Sequence, residues 1–158
     1  MTEGFLPFFR WCETTFIAEA INNSIWLFAG VEAVHLVGLS MLGGAILLVD
    51  LRMMGFGLVR TPLPDLVRQA RPWLVTGIAI MVVTGVSLFL SEAIKCYYNA
   101  SFWVKMLTLP LAMAFTFKVR DRIAEDGWYV NAATRQAGAA SITLWLIVAA
   151  AGRWIGFS

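Results

Sequence analysis

One histidine, two cysteines and twenty-two charged side chains in 158 residues leave little material for most kinds of chemical site. The two cysteines cannot build a thiolate zinc site, which takes up to four protein ligands. HExxH, CxxC, GxGxxG, P-loop and nucleophile-elbow patterns are all absent. A serine or cysteine triad has no base to draw on, because the single histidine, His35, falls inside an apolar run. Charge is also scarce. Charged residues make up 14% of the chain, the net charge is +2, and no basic stripe occurs, which argues against a nucleic-acid partner. Apolar residues take up the remainder: 59% of the chain, with a mean hydropathy of +0.75. A soluble domain is about 45–50% apolar and about 25% charged, so the composition predicts an integral membrane protein.

Four apolar segments follow along the chain, at residues 25–49, 73–91, 102–117 and 139–155. A helix needs about 20 apolar residues to cross hydrocarbon, where no water is available to satisfy backbone groups. The expected fold class is therefore all-α: a four-helix transmembrane bundle forming one domain over residues 1–158. The second segment opens on Pro72, which suits a first helical turn, with a short surface helix ahead of it at 65–71. Before the first span, residues 5–21 place apolar side chains at 5, 8, 9, 12 and 16. This stretch is too short and too polar to span and reads as an N-terminal amphipathic interfacial helix. Asn23 or Ser24 would cap the span that follows. Trp26, Trp73, Trp103, Trp128 and Trp154 lie near predicted ends, as an interfacial belt requires; Trp145 lies near mid-span.

Basic residues set the orientation. Arg52, Arg60, Arg68, Arg71, Lys118, Arg120, Arg122 and Arg135 fall on one side, and only Arg10, Lys95 and Arg153 on the other. The positive-inside rule then places both termini outside, periplasmic in a multi-pass protein of the bacterial inner membrane. Glu3 precedes any hydrophobic run and no basic n-region is present, so no signal peptide is expected. Asp50 and Arg52, with Arg68 and Arg71, read as solvated anchors or lipid head-group contacts. Cys12 and Cys96 fall on the predicted outer side, where an oxidising compartment permits a disulfide. The alternative is two unpaired thiols.

His35 sits near the middle of the first span, with Glu32 one turn before it on the same helix face. Ionisable groups at membrane depth are costly and read by default as functional. Three roles are open to His35: an axial ligand to haem iron, a proton relay, or a structural hydrogen bond to Glu32 or a neighbouring helix. Gly38 one turn on, with Gly43 and Gly44, leaves space for a flat cofactor or for close helix packing. Glu32, Lys105 near the start of the third span and Arg153 near the end of the fourth would together bind or balance an anion, a haem propionate being one candidate. Lysines and arginines near span ends also snorkel to the interface.

The motifs His35 to Gly38 (HLVGLSMLGG) and Trp103 with Lys105 (FWVKMLTLPL), with the exit Asp50-Leu51-Arg52, resemble small four-helix bacterial membrane proteins of the HemJ/CopD type. These include membrane-bound protoporphyrinogen IX oxidases, copper-resistance D proteins and related uncharacterised four-span families. The likeness covers most of residues 25–111 and rests on short motifs. It implies haem b as cofactor, His35 as the axial ligand to its iron, Lys105 as an essential residue, and possible assignment to a haem-dependent oxidoreductase. The chain departs from that pattern in two ways. It has no second histidine for bis-histidine ligation within one subunit, so a further ligand would be a weaker one such as Met or come from a second subunit, and the N-terminal amphipathic extension is additional. The expected function is haem b binding in redox or porphyrin chemistry, with Glu32 orienting His35 or handling a proton. The alternative is a non-catalytic accessory subunit in which the N-terminal aromatic helix docks on a partner. In both cases the surroundings are the lipid bilayer and a homo-oligomer or larger membrane complex.

Overall fold

A computed structural model describes residues 4–58, 60–127 and 129–157. Trp128, one of the expected belt residues, lies outside them. Among the described residues the chain is all helix: α1 (Leu6–Glu13), α2 (Phe16–Asn22), α3 (Ile25–Met54), α4 (Leu63–Ser91), α5 (Ala93–Tyr98), α6 (Ala100–Phe115), a π-helical turn (Thr116–Arg120), α7 (Asp121–Asp126) and α8 (Ala132–Ile155). Four helices are long and apolar enough to cross a membrane: α3, α4, the continuous run from Ala100 to Asp126, and α8. The expected four-helix transmembrane bundle is present, and the protein is a multi-pass membrane protein.

Capping side chains set the helix starts. Ser24 accepts a hydrogen bond from the Leu27 amide (3.3 Å) and Asn99 accepts from Ser101 (2.9 Å). Asn131 and Thr134 form a reciprocal capping box at 2.9 Å in each direction. Gly55, at φ +93°, closes α3 in the left-handed conformation that glycine adopts without steric cost.

The sequence reading needs three corrections here. The N-terminal segment is two helices, because Thr15 leaves helical geometry and caps α2 through the Ala18 amide (3.4 Å). Pro72 lies inside α4, which begins at Leu63 and absorbs the expected surface helix. The spans also outrun their apolar segments, reaching Met54 and Asp126 where Val49 and Phe117 were expected. Intrahelical bonding continues past the hydrocarbon edge, where polar side chains become tolerable.

Helices α3 and α4 form one tightly packed pair and α6 and α8 another; α3 against α8 joins the pairs. Glycines set the α3–α4 approach. A Cβ on Gly77 would stand 2.7 Å from the Leu42 backbone nitrogen, and one on Gly38 2.7 Å from Ile80 Cγ2. Gly77→Ala forces the two backbones apart and is expected to cost about 1–3 kcal/mol, as overpacking does. Gly43→Ala has nothing within 4 Å to meet and serves as the near-neutral control in thermal unfolding of the detergent-extracted protein.

Two apolar clusters stack along the bundle. The larger, including Leu42, Val49, Met53, Leu63, Val67, Trp145 and Val148, fills the half nearer Gly55, Pro62 and Asn131, hereafter the basic end. The smaller is an aromatic cap at the terminal end, built from Phe9, Cys12, Ala93, Cys96, Tyr97 and Phe102. Phe9 sits at its centre, edge-on to Phe89, Tyr97 and Phe102 with ring centroids 5.1–6.2 Å away. Two polar ties hold the N-terminal helices to the junction of α4 and α5. Glu13 accepts from the Ile94 amide at 2.8 Å, and Asn22 donates to the Ser91 carbonyl at 3.2 Å.

Candidate functional site

The layer between the two clusters carries the polar side chains of interest. On three spans it falls between the two clusters: Thr84 and Gly85 between Met81 and Phe89 on α4, Lys105 between Trp103 and Leu109 on α6, and Gly152 between Val148 and Ile155 on α8; on α3, which gives the aromatic cap no residue, His35 precedes Leu42. At 1.5 Å per residue this layer lies roughly 5–15 Å inside the helix ends at the terminal side.

His35 is half-buried, and its Nδ1 lies 2.7 Å from Thr84 Oγ1. The tautomer follows from the next bond in the chain. Thr84 Oγ1 lies 2.6 Å from the carbonyl of Ile80, an acceptor that can only receive the hydroxyl proton. Thr84 has no second proton, so its oxygen accepts and His35 Nδ1–H donates. The proton is thereby fixed on Nδ1, and Nε2 keeps a lone pair that no described side chain uses. A ring nitrogen anchored in this way, with the other left as a donor to a metal, is the usual arrangement of a ligating histidine.

Two glycines flank the polar side chains. A Cβ on Gly85 would touch His35 Cε1 at 3.4 Å, and one on Gly152 would touch Lys105 Nζ at 3.4 Å. Lys105 is half-buried and lies within electrostatic reach of both His35 and Cys96. The layer thus holds an imidazole with a free Nε2 and an ammonium, each set against a helix with no side chain at the point of contact.

Several expected site residues stand elsewhere. Glu32 is exposed and makes no hydrogen bond or ion pair with a described residue, so Thr84, not Glu32, orients His35. Gly38 is buried and the space beside it is filled by Ile80, which makes it a packing residue rather than part of a cofactor cradle. Arg153 is exposed and its guanidinium lies 4.3 Å over the Phe157 ring, the snorkelling arrangement. The expected cluster of Glu32, Lys105 and Arg153 therefore does not form. An open groove of about 470 Å³ between α3 and α4, lined by Ser40, Gly44, Leu66, Gln69 and Trp73, belongs to the basic half and does not reach His35.

Cys12 and Cys96 are free thiols, so the bridge allowed by the sequence is not formed. Both are buried in the aromatic cap, where they pack as small apolar side chains among rings. Burial, with Glu13 beside it, raises the Cys12 thiol above its usual range. Burial, with Glu92 nearby, pushes Cys96 up to about 11 from 9.0. Cys96 therefore carries about a hundredfold less thiolate than an ordinary cysteine at a given pH, and alkylation of native protein near pH 8 is expected to be slower by about that factor. Because the folded state holds the proton more tightly, this contribution to stability is complete below pH 9 and is lost as the pH rises toward 11. Labelling rates and unfolding midpoints across that window check both statements.

Sequence reasoning missed a second polar cluster at the basic end. Asp50, Arg120 and Asp121 are 0%, 1% and 4% exposed. Arg120 Nη1 donates to Asp121 Oδ1 at 2.7 Å, and Arg120 Nε lies 3.0 Å from Asp50 Oδ1. Trp145, the mid-span tryptophan, donates from Nε1 to Thr116 Oγ1 at 3.0 Å just above it. Asp50 had read as an end anchor and Arg120 as one of the basic residues outside the spans, yet the extended helices carry both into the bundle.

Fold and site together define a class: a four-span membrane protein with one histidine held in a fixed tautomer beneath an aromatic cap. The chain belongs to a family of unknown function, DUF6644, which it matches over residues 8–158. No curated protein and no solved structure matches it.

Proposed function

We propose that this protein binds haem b in the layer beneath the aromatic cap, with His35 Nε2 as axial ligand, and serves redox or porphyrin chemistry. The observation that carries this reading is the tautomer: Thr84 spends its one proton on Ile80 and so obliges His35 to present an unprotonated Nε2. Gly85 and Gly152 let His35 and Lys105 pack directly against α4 and α8, which fixes the two side chains that would meet the cofactor. Lys105 would supply the half-buried positive charge that a propionate or an acidic substrate needs. Bound haem b supplies one-electron chemistry at its iron. The protein's part is to hold the imidazole neutral and aligned, to place a cation beside it, and to exclude water with the aromatic cap. One histidine per chain provides one axial bond; a second protein ligand would be a weaker one such as Met or would come from another subunit.

The positive-inside rule supports a cytoplasmic basic end, which would put the site in the periplasmic half of a bacterial inner membrane, with both termini periplasmic. The accessory-subunit reading asks the N-terminal helix to dock on a partner. Phe9 is buried on the chain's own bundle, while Phe5, Phe8, Trp11 and Phe16 are exposed and leave an aromatic face for lipid or for such a partner.

Protein produced with haem available and extracted gently is expected to show a Soret band that shifts on reduction with dithionite. Thr84→Val keeps the shape but removes the acceptor for Nδ1–H, and haem affinity is expected to fall about 10–100-fold, the usual effect of losing a ligand's outer partner. Folded protein with no Soret band after haem supply would sink the reading.

A further inference from the structure

Two charged side chains on the outside of the bundle stand without an ionic partner. Glu32 lies roughly 10 Å inside the start of α3 at Ile25. Its side chain is exposed and forms no ion pair with a described residue. Arg153 lies near the end of α8, at the same end of the bundle. It is exposed with its guanidinium over the Phe157 ring, and it too forms no ion pair with a described residue. A carboxylate facing lipid at this depth is unfavourable, and such groups are found paired. The other cations of this end are placed elsewhere. Lys95 reaches Glu92 at 3.8 Å, Lys105 packs inward against Gly152, and Arg10 sits on α1, which packs against α4 and α5.

Both side chains border one seam. Glu32 stands about five helical turns before Asp50 and so on the same side of α3. That side faces α8, since a Cβ on Gly138 would lie 2.8 Å from the Asp50 carbonyl oxygen. Arg153 stands about five turns after Arg135, whose Nη2 would lie 3.7 Å from a Cβ on Gly55 at the end of α3. The two helices therefore meet in the basic half, and in the terminal half the same sides are open. Ala29 and Leu36 beside Glu32 are exposed, as are Leu146 and Ala150 beside Arg153. The alanines keep this face low enough for another helix to approach closely. The face is also self-complementary, with a negative charge on α3 and a positive one on α8. A second copy turned about a two-fold axis along the membrane normal brings its Arg153 to Glu32 and its Glu32 to Arg153, as an isologous contact requires.

We infer that the α3–α8 face of the terminal half is the contact between two copies of this chain, held by two reciprocal Glu32–Arg153 ion pairs. The inference does not rest on the haem reading. Neither residue takes part in the contacts that position His35 and Lys105, and the dimer forms through the outside of the bundle.

Counting subunits by single-molecule photobleaching of the fluorescently labelled full chain in liposomes tests this. The wild-type protein is expected to be dimeric. Glu32→Arg and Arg153→Glu are each expected to lower the association constant by about tenfold or more, because each puts two like-charge contacts in place of two ion pairs. An equimolar mixture of the two variants is expected to recover the dimer, since a Glu32→Arg chain beside an Arg153→Glu chain has opposite charges at both contacts. Circular dichroism checks that each variant is folded. Should a reversal disturb folding, Glu32→Gln and Arg153→Gln are each expected to weaken the dimer, and together to weaken it no further than either alone, as coupled residues do. A monomeric wild-type protein, a dimer that survives both reversals, or folded variants that fail to associate when mixed overturns the inference.

Discussion

Replacing His35 by alanine is expected to abolish the Soret band of haem-supplied protein completely, with little loss of fold. The size of the effect follows from the inventory. The chain has no second histidine to take over the iron, and the described residues contain no group of three or more His, Cys, Asp or Glu side chains able to hold a metal instead. The fold should survive because the imidazole is half-buried at the edge of the apolar clusters and its described hydrogen bond goes to Thr84. Once the imidazole is gone, Thr84 still donates to Ile80, so no buried donor is orphaned. Lys105→Met separates ligation from charge. It keeps the iron ligand and removes the ammonium, so the Soret band should remain while haem or substrate binds more weakly. A charge-assisted hydrogen bond to a carboxylate is worth about 1.5–3 kcal/mol, so the expected weakening is on the order of tenfold to a hundredfold. Absorption titrations with added haem distinguish the three proteins. An unchanged band in His35→Ala would show that any haem present binds elsewhere.

His35 was legible in the sequence because an ionisable residue in an apolar run stands out against its neighbours. Its partner was not. Thr84 lies 49 positions away, and a threonine in an apolar helix usually bonds only its own backbone, so nothing in its surroundings marks it as the residue that fixes a tautomer. The glycines illustrate a similar limit. Gly38, Gly85 and Gly152 are alike as letters, yet one is filled by Ile80 and the other two abut His35 and Lys105. Helix rotation decides which, and rotation is set by packing between helices. Glu32 failed for this reason, since sharing a stripe with His35 did not turn it inward.

The inner cluster was hidden by a different assumption, that helices stop where the apolar letters stop. Under that assumption Asp50 follows a span ending at Val49 and reads as a solvated anchor, and Arg120 follows one ending at Phe117 and counts only as a basic residue of the loop side. The helices run on to Met54 and Asp126. The π-helical turn from Thr116 to Arg120 inserts a residue into the backbone bonding pattern within this extension. The extension brings Arg120 beside Asp50, on a helix that the sequence gives no reason to place opposite it.

Arg120→Met is expected to be the most destabilising single change in the molecule, at about 3–5 kcal/mol, the usual cost of removing one partner from a buried ionic group. The cost arises less from the lost attraction than from what stays behind: Asp121 loses its 2.7 Å donor while remaining 4% exposed. Deleting the exposed Arg68–Asp65 pair, with side chains 79% and 43% exposed at 2.8 Å, should change stability by no more than about 1 kcal/mol. The effect of Arg120→Met should be nearly independent of ionic strength, and that of Arg68→Ala should fade with salt. Second-site changes then identify the carboxyl that bears the charge. If Asp50 is already neutral, Asp50→Asn has nothing to repair in the Arg120→Met background, whereas Asp121→Asn removes the stranded carboxylate and restores most of the lost stability. Were Asp50 the ionised partner, the rescue would follow Asp50→Asn instead. Unfolding midpoints of the two double variants therefore show which carboxyl bears the charge.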